Sequence, residues 1–301
     1  MMSMYPGKIR SGLAAAAVAV AMLLQGCSGL DMVNAVAPAA GVSETPGLAY
    51  GTHARLTRDL YKPEDAEAPL PTILFFYGGS WKGGHKEDYA FAGRALARAG
   101  FLVAVADYRV YPEFAFPAFV EDGARAVRWL TENAVAHGGR PDGIHLMGHS
   151  AGAHIAAMIA LDGAYLKAEG LSRDVLDRWV GLAGPYAFYP SEIDYVSAVF
   201  AHLDDEDAAR PITFVDGMSP PALLLHGADD TTVIPEHSRR LADRLNTAGV
   251  AAAARFYDGI GHARLLLSLS APFTGFAPSL QDAVRFLKTG AFPETRTAAA
   301  K

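Results

Sequence analysis

The sequence predicts an α/β fold: a mostly parallel central sheet with helices on both faces and a small cap-like insertion. Three observations carry that expectation. Short apolar runs alternate with helical patterns of ten or more residues, as parallel strands joined by helical crossovers do. Glycines close most of these segments. A Gly-x-Ser-x-Gly turn falls between an apolar strand pattern and an apolar helix pattern. The chain has 301 residues, 51% of them hydrophobic, which is enough to bury one large core and excludes a disordered chain.

From Tyr50 onward the elements follow in order. Residues 55–61 alternate as a half-buried strand would. Thr72 to Tyr77 (TILFFY) is a buried strand closed by Gly78-Gly79. Asp88 to Ala99 reads as a helix stopped by Gly100, and Phe101 to Ala106 as another buried strand. Phe119 to Ala136 is helical, Gly143 to Met147 a strand and Ala151 to Leu161 a helix. Trp179 to Leu182 and Ala222 to Leu225 are strands. Pro235 to Ala248 is a helix, Ala252 to Tyr257 a strand and Ser279 to Lys288 the last helix. Residues 185–218 break the rhythm with Pro190, Pro211 and the acidic run Asp204 to Asp207. They read as an insertion over the carboxyl edge of the sheet, where ligands bind in such folds.

The formal net charge is -6, and no basic stripe suggests a nucleic-acid partner. The first 26 residues are organised for export. Lys8 and Arg10 precede the apolar run Leu13 to Leu24, which as a helix would reach roughly 18 Å, short of the roughly 30 Å a membrane span needs. The single cysteine, Cys27, excludes an internal disulfide. It follows Leu24-Gln25-Gly26, which resembles the lipobox of bacterial lipoproteins, with Gln25 the less usual residue. That resemblance implies lipidation of Cys27 and a membrane anchor in the bacterial cell envelope. Ser28 at the next position favours the outer membrane over the inner. Residues 27–49 show no strand or helix period and read as a flexible tether, leaving 50–301 for the folded domain.

The chemistry centres on Gly148-His149-Ser150-Ala151-Gly152. A sharp strand-to-helix turn exposes the Ser150 hydroxyl, and flanking glycines let other backbone come close. A serine needs a base, and the base an orienting acid. His262 follows a late strand, and Asp229 and Asp230 follow the strand before it. Acid before histidine is the order such a triad takes. Residue pattern alone leaves Asp229 and Asp230 open. His149 lies inside the turn and reads as a pocket lining; His154 reads as packed helix and His237 as helix surface. No His-Glu-x-x-His spacing points to a catalytic metal, and no cofactor is implied. An oxyanion hole requires backbone donors: Ala151, just after the nucleophile, and the Gly-rich loop Tyr77-Gly78-Gly79-Ser80-Trp81.

Together these motifs resemble the carboxylesterase and hormone-sensitive-lipase-like (BD-FAE-like) branch of the α/β-hydrolases, over residues 55–289. The loop usually reads His-Gly-Gly-x-Trp in that branch, and Tyr77 stands in place of the histidine. The resemblance implies oxyanion donors at Gly79, Ser80 and Ala151, and a structural role for Asp107 to Glu113. In the stretch similar to His226 to Val233 the second aspartate is the triad acid, so Asp230 is implied. Trp81 and His149 are expected to contact substrate. The implied activity is hydrolysis of small or short-acyl carboxylic esters through an acyl-Ser150 intermediate. The same motifs also resemble amide-cleaving enzymes of the kynurenine-formamidase and acyl-peptidase kinds, and a non-enzymatic binding lipoprotein is a third reading.

Overall fold

The computed structural model describes residues 29–67 and 69–293. The expected signal segment and Cys27 lie outside these residues. Eight strands form one sheet in the order β1-β2-β4-β3-β5-β6-β7-β8. They are β1 (Val42–Ala49), β2 (Thr57–Pro63), β3 (Thr72–Phe76), β4 (Leu102–Ala106), β5 (Ile144–His149), β6 (Leu176–Leu182), β7 (Ala222–Gly227) and β8 (Ala252–Tyr257). β1 and β2 run antiparallel to their neighbours, and every pairing from β4 to β8 is parallel.

β3, β4 and β5 are buried at every residue, which is why they read as continuous apolar runs rather than alternating ones. Successive β3 side chains serve opposite faces. Phe75 packs against Tyr89 at 6.1 Å, beside the helix Ala90–Arg98. Phe76 reaches Gly123 on the helix Ala118–Asn133, leaving 3.1 Å from its ring to where a Cβ would sit. The helices therefore cover both faces, as expected. β4 and β5 flank β3 on opposite sides, so the loops after β3 and β5 diverge at a switch point, where α/β sheets open a crevice.

The expected tether is corrected by the structure. Gly29–Val36 is a helix, and Val42–Ala49 is strand β1. The outer face of β1 is exposed, and Pro46-Gly47 coincides with a register shift between Thr45 and Leu48, so no period marks it. Such features are typical of an edge strand. Its order comes from distant partners. Gly47 N–H donates to Asp59 at 2.8 Å, Arg58 donates to the Ala49 carbonyl at 3.2 Å, and Arg94 pairs with Glu44 at 2.7 Å. The helix Ala118–Asn133 gives way to a 3-10 turn at Ala134–His137, ended by Gly138 at φ 87°. Short helices at Gly163–Ala168, Asp194–Phe200 and His262–Leu267 were not expected, since fewer than two turns cannot display a period.

Candidate active site

Ser150 stands between β5 and the helix Ala151–Leu161, at φ 56° and ψ -122°. This is a costly backbone for a residue with a side chain, and strain of this kind concentrates at functional sites. The surroundings hold it there. Ser150 N–H donates to the Leu182 carbonyl at 2.9 Å, and the Ser150 carbonyl accepts from His154 N–H at 3.1 Å. The glycines on either side are steric necessities. A Cβ on Gly148 would sit 2.3 Å from the Gly152 oxygen, and one on Gly152 would sit 2.1 Å from the Phe76 oxygen. The Gly152 contact seats the turn against the end of β3, beside the loop that follows it.

That loop, residues 77–84, is also strained and braced. Ser80 and Trp81 have φ of 54° and 57°. Gly79 has φ 143°, and a Cβ there would sit 2.2 Å from the Gly83 oxygen. Tyr108 hydroxyl donates to the Tyr77 carbonyl at 2.8 Å, and Tyr77 hydroxyl donates to Asp107 at 2.7 Å. Arg55 donates to the Gly84 carbonyl at 2.7 Å and to Tyr77 hydroxyl at 3.0 Å. Asp107 and Tyr108 thus brace the loop, in line with their expected structural role; Arg55 carries no motif that marks it in the sequence. Tyr77, in place of the usual histidine, stacks on Tyr108 at 4.6 Å and on Tyr89 at 5.4 Å. Gly78 N–H faces Tyr89 hydroxyl at 3.2 Å, so Gly79 and Ser80 are the next donors along the loop. Ala151 is the first residue of its helix, where a backbone N–H has no intrahelical partner.

Asp230 and His262 meet. Nδ1 of His262 lies 2.7 Å from Oδ2 of Asp230. The other oxygen of Asp230 accepts from Thr232 and Val233 N–H at 2.9 and 3.0 Å. Asp230 is buried, whereas Asp229 is exposed, and of the two it is Asp230 that meets His262. Burial alone would raise the Asp230 carboxyl; the hydrogen bonds from His226, His262 and Val233 outweigh it and hold it well below the ordinary carboxylate range. His226 is a supporting residue with no role expected from sequence. Its Nε2 donates to the Val233 carbonyl at 2.8 Å and lies 3.4 Å from Asp230, and its Nδ1 accepts from Ser238 hydroxyl at 2.7 Å. His262 opens a short helix rather than lying within a loop, as its first residue after Gly261.

Around Ser150 lies a narrow cleft. Ser80, Trp81 and Ala151 line it from the sheet edge. Pro185, Phe188, Ile193, Tyr195 and Val196 line it from the insertion, which therefore covers the site as expected. Lys82 ties the loop to the insertion by donating to the Tyr195 carbonyl at 2.7 Å. Trp81 is buried and packs on Phe188 at 5.7 Å and Phe200 at 5.0 Å. Two histidines depart from expectation. His149 is not among the residues lining this cleft; its buried ring packs against His262 at 4.7 Å. Burial holds it neutral, its imidazole well below the ordinary value. His237, expected on the helix surface, does line the cleft. Among the described residues, His85, Glu87 and Asp107 bring three possible metal-ligand atoms together. The Lys86 ammonium already sits among them, paired with Glu87 and 4.0 Å from Asp107.

Residues 58–178 match the BD-FAE family model. A probable isoprenylcysteine alpha-carbonyl methylesterase of Oryza sativa subsp. japonica is 33% identical over 240 residues, covering 72% of this chain and 58% of that protein. Esterase LipQ of Mycobacterium tuberculosis is 30% identical over 234 residues, covering 69% of this chain and 54% of that protein. The chain thus spans little more than half the length of these curated relatives. Among solved structures, a hyperthermophilic esterase from the archaeon Pyrobaculum calidifontis superposes with a TM-score of 0.70 at 24% identity, over 88% of this chain and 90% of that one. Esterase B from Lactobacillus rhamnosis does so with a TM-score of 0.73 at 21% identity, over 93% and 95%. The structural likenesses bear on the fold alone, and the sequence relatives carry the rest. Fold, motifs and relatives together show that the chain belongs to the α/β-hydrolase carboxylesterase family.

Proposed function

We propose that the protein is a serine esterase that hydrolyses small or short-acyl carboxylic esters through an acyl-Ser150 intermediate. The observation that carries this reading is the 2.7 Å bond between His262 and Asp230, at the sheet edge where Ser150 is held in its strained turn. With Nδ1 committed to Asp230, His262 presents Nε2 as the base that takes the Ser150 proton. Charge then develops on the ester oxygen, and the N–H groups of Gly79, Ser80 and Ala151 stabilise it. His262 returns the proton to the departing alcohol. A water activated by the same imidazole releases the acid. Asp230, kept ionised, stabilises the imidazolium that forms in each step.

The short-acyl preference rests on the cleft, which is small and walled by Trp81, Phe188 and Val196. The methyl ester in the rice relative's name bears on the alcohol side alone, where it is an ester of a small alcohol. The test is a panel of 4-nitrophenyl acetate, butyrate and laurate beside an N-formyl arylamine and an acyl-peptide, with Ser150→Ala in parallel. The reading expects acetate and butyrate to be cleaved well ahead of laurate and of both amides. It also expects a loss of at least about 1000-fold in Ser150→Ala. Amides cleaved ahead of esters would shift the assignment to amide hydrolysis, and a folded protein silent on all of them would favour a binding role.

The same reading places the protein in the bacterial cell envelope, lipid-anchored through Cys27. Among the described residues no helix is long and apolar enough to cross a membrane, and the anchor in this account is the acyl chains on Cys27. Labelling with a palmitate analogue in a bacterial host, with Cys27→Ala beside the full chain, tests it: label and membrane association should both depend on Cys27.

A further inference from the structure

His237 is the second residue of the helix Glu236–Thr247 and lines the cleft. The ring is held in one state. Its Nδ1 accepts from the Ala187 N–H at 3.3 Å. An imidazole that accepts at Nδ1 carries its proton on Nε2 as a donor. Burial, with the guanidinium charges of Arg240 and Arg210 added, lowers the imidazole to about 4, so the ring is neutral at physiological pH. Phe188, Ile193, Val196 and Val233 make the apolar part of the wall, and the hydroxyls of Ser80, Tyr195 and Thr232 with the Nε1–H of Trp81 are the other polar side-chain groups beside the nucleophile. A neutral donor of fixed tautomer on such a wall is the kind of group that orients a ligand and discriminates among ligands.

We propose that His237 is a specificity residue whose Nε2–H donates to an oxygen the substrate carries in addition to its scissile ester, so that preferred substrates bear an ether, hydroxyl or second carbonyl oxygen. The proposal rests on the reading of Ser150 as the nucleophile. It selects esters by a polar contact on the cleft wall, and it separates them from hydrocarbon esters of the same length and shape. A site arranged to hydrogen-bond a substrate group loses discrimination when its partner is removed.

Two isosteric pairs test this, one on each side of the ester. 4-Nitrophenyl methoxyacetate is compared with 4-nitrophenyl butyrate, and 2-methoxyethyl acetate with butyl acetate. The readout is the kcat/KM ratio of oxygenated to hydrocarbon ester in the wild-type protein, in His237→Phe and in His237→Gln. Comparing ratios between proteins cancels the intrinsic reactivity of the methoxy esters. In one pair the ratio should fall on the order of fivefold in His237→Phe, as loss of one neutral hydrogen bond implies, and recover in His237→Gln, which keeps a donor. The pair that responds says whether the oxygen lies on the acyl or the alcohol side. His237→Leu, also without a donor, gives the same reading should the Phe ring not fit. If His237 merely anchors the insertion through Ala187, both members of each pair slow together and the ratios hold. That result, or a Gln variant that behaves as the Phe variant does, overturns the proposal. Failure of the folded wild type to hydrolyse any of the four esters is a different result, and it overturns the esterase reading beneath.

Discussion

Asp230 and His154 are both buried ionisable groups, and their surroundings resolve the cost of burial in opposite ways. Asp230 keeps its charge because two backbone N–H groups and two imidazoles face its oxygens. Replacing it by Asn preserves the shape but lets the amide donate towards His262 and favour the wrong tautomer. Asp230→Asn should lower kcat for ester hydrolysis roughly 10³–10⁴-fold, with little change in thermal midpoint. An Asn variant within tenfold of wild type would contradict the assigned role. His154 has no such partners. Its Nε2 donates to the Ala209 carbonyl at 2.8 Å, and rings of Trp81, Phe116, Phe188 and Phe200 surround it. Burial lowers its imidazole from the ordinary 6.5 to about 4. The unfolded chain therefore takes up the proton first as pH falls. The native state loses stability from pH 6.5 down to about 4, on the order of 3 kcal/mol, and this contribution is flat above and below that window. His154→Phe should be less stable at pH 7 for want of the Ala209 bond, yet its thermal midpoint should fall less steeply between pH 6.5 and 4. An equal slope in both proteins would place the acid sensitivity elsewhere. Residues marked by a motif, such as Ser150, Asp230 and His262, were legible in sequence. The supports of that site were not: nothing in the chain order shows that Arg55 braces the loop or that His237 lines the cleft, because both contacts join distant segments.

At the scale of elements, the junction of three segments governs the site: the end of β3, the turn after β5 and the first turn of the helix Ala151–Leu161. Gly152 is the point of closest approach, and its Cα faces the Phe76 and Tyr77 carbonyls. Gly152→Ala must push this helix off the sheet edge. It should cost about 3 kcal/mol in urea denaturation, the upper end of what overpacking does, and lower activity further by spreading Ser150 from the loop at Gly79. An Ala variant with an unchanged urea midpoint would show that the junction is looser than described. The central strands were readable because burial on both faces makes them uniformly apolar. The helix Ala151–Leu161 was readable because its glycine and serine punctuation is local. Strand β1 was not, since its exposed face is polar and its single strong determinant is the edge of β2.

For the whole molecule, that edge matters. β1 completes the sheet by covering β2, and the helix Gly29–Val36 packs on the segment around Glu87 and Phe91, with Asn34 donating to the Glu87 carbonyl at 2.8 Å and accepting from Phe91 N–H at 2.8 Å. A chain that begins at Tyr50 leaves β2 as an uncovered edge. Its thermal midpoint should lie roughly 5 °C or more below that of a chain beginning at Gly29. Equal midpoints would restore the tether reading of residues 29–49. The insertion at 185–218 closes the other end of the molecule over the cleft, joined to the loop by Lys82 and to the helix Glu236–Thr247 by His237. Sheet, loop and insertion thus converge on one serine hydroxyl. The measurement that tests this most directly is covalent capture: the protein is treated with diisopropyl fluorophosphate, and the adduct is mapped by peptide mass spectrometry while ester hydrolysis is followed. The account predicts a single phosphoryl group on Ser150, formed in step with loss of activity and absent from Ser150→Ala; an adduct on another residue, or full activity with Ser150 modified, would contradict it.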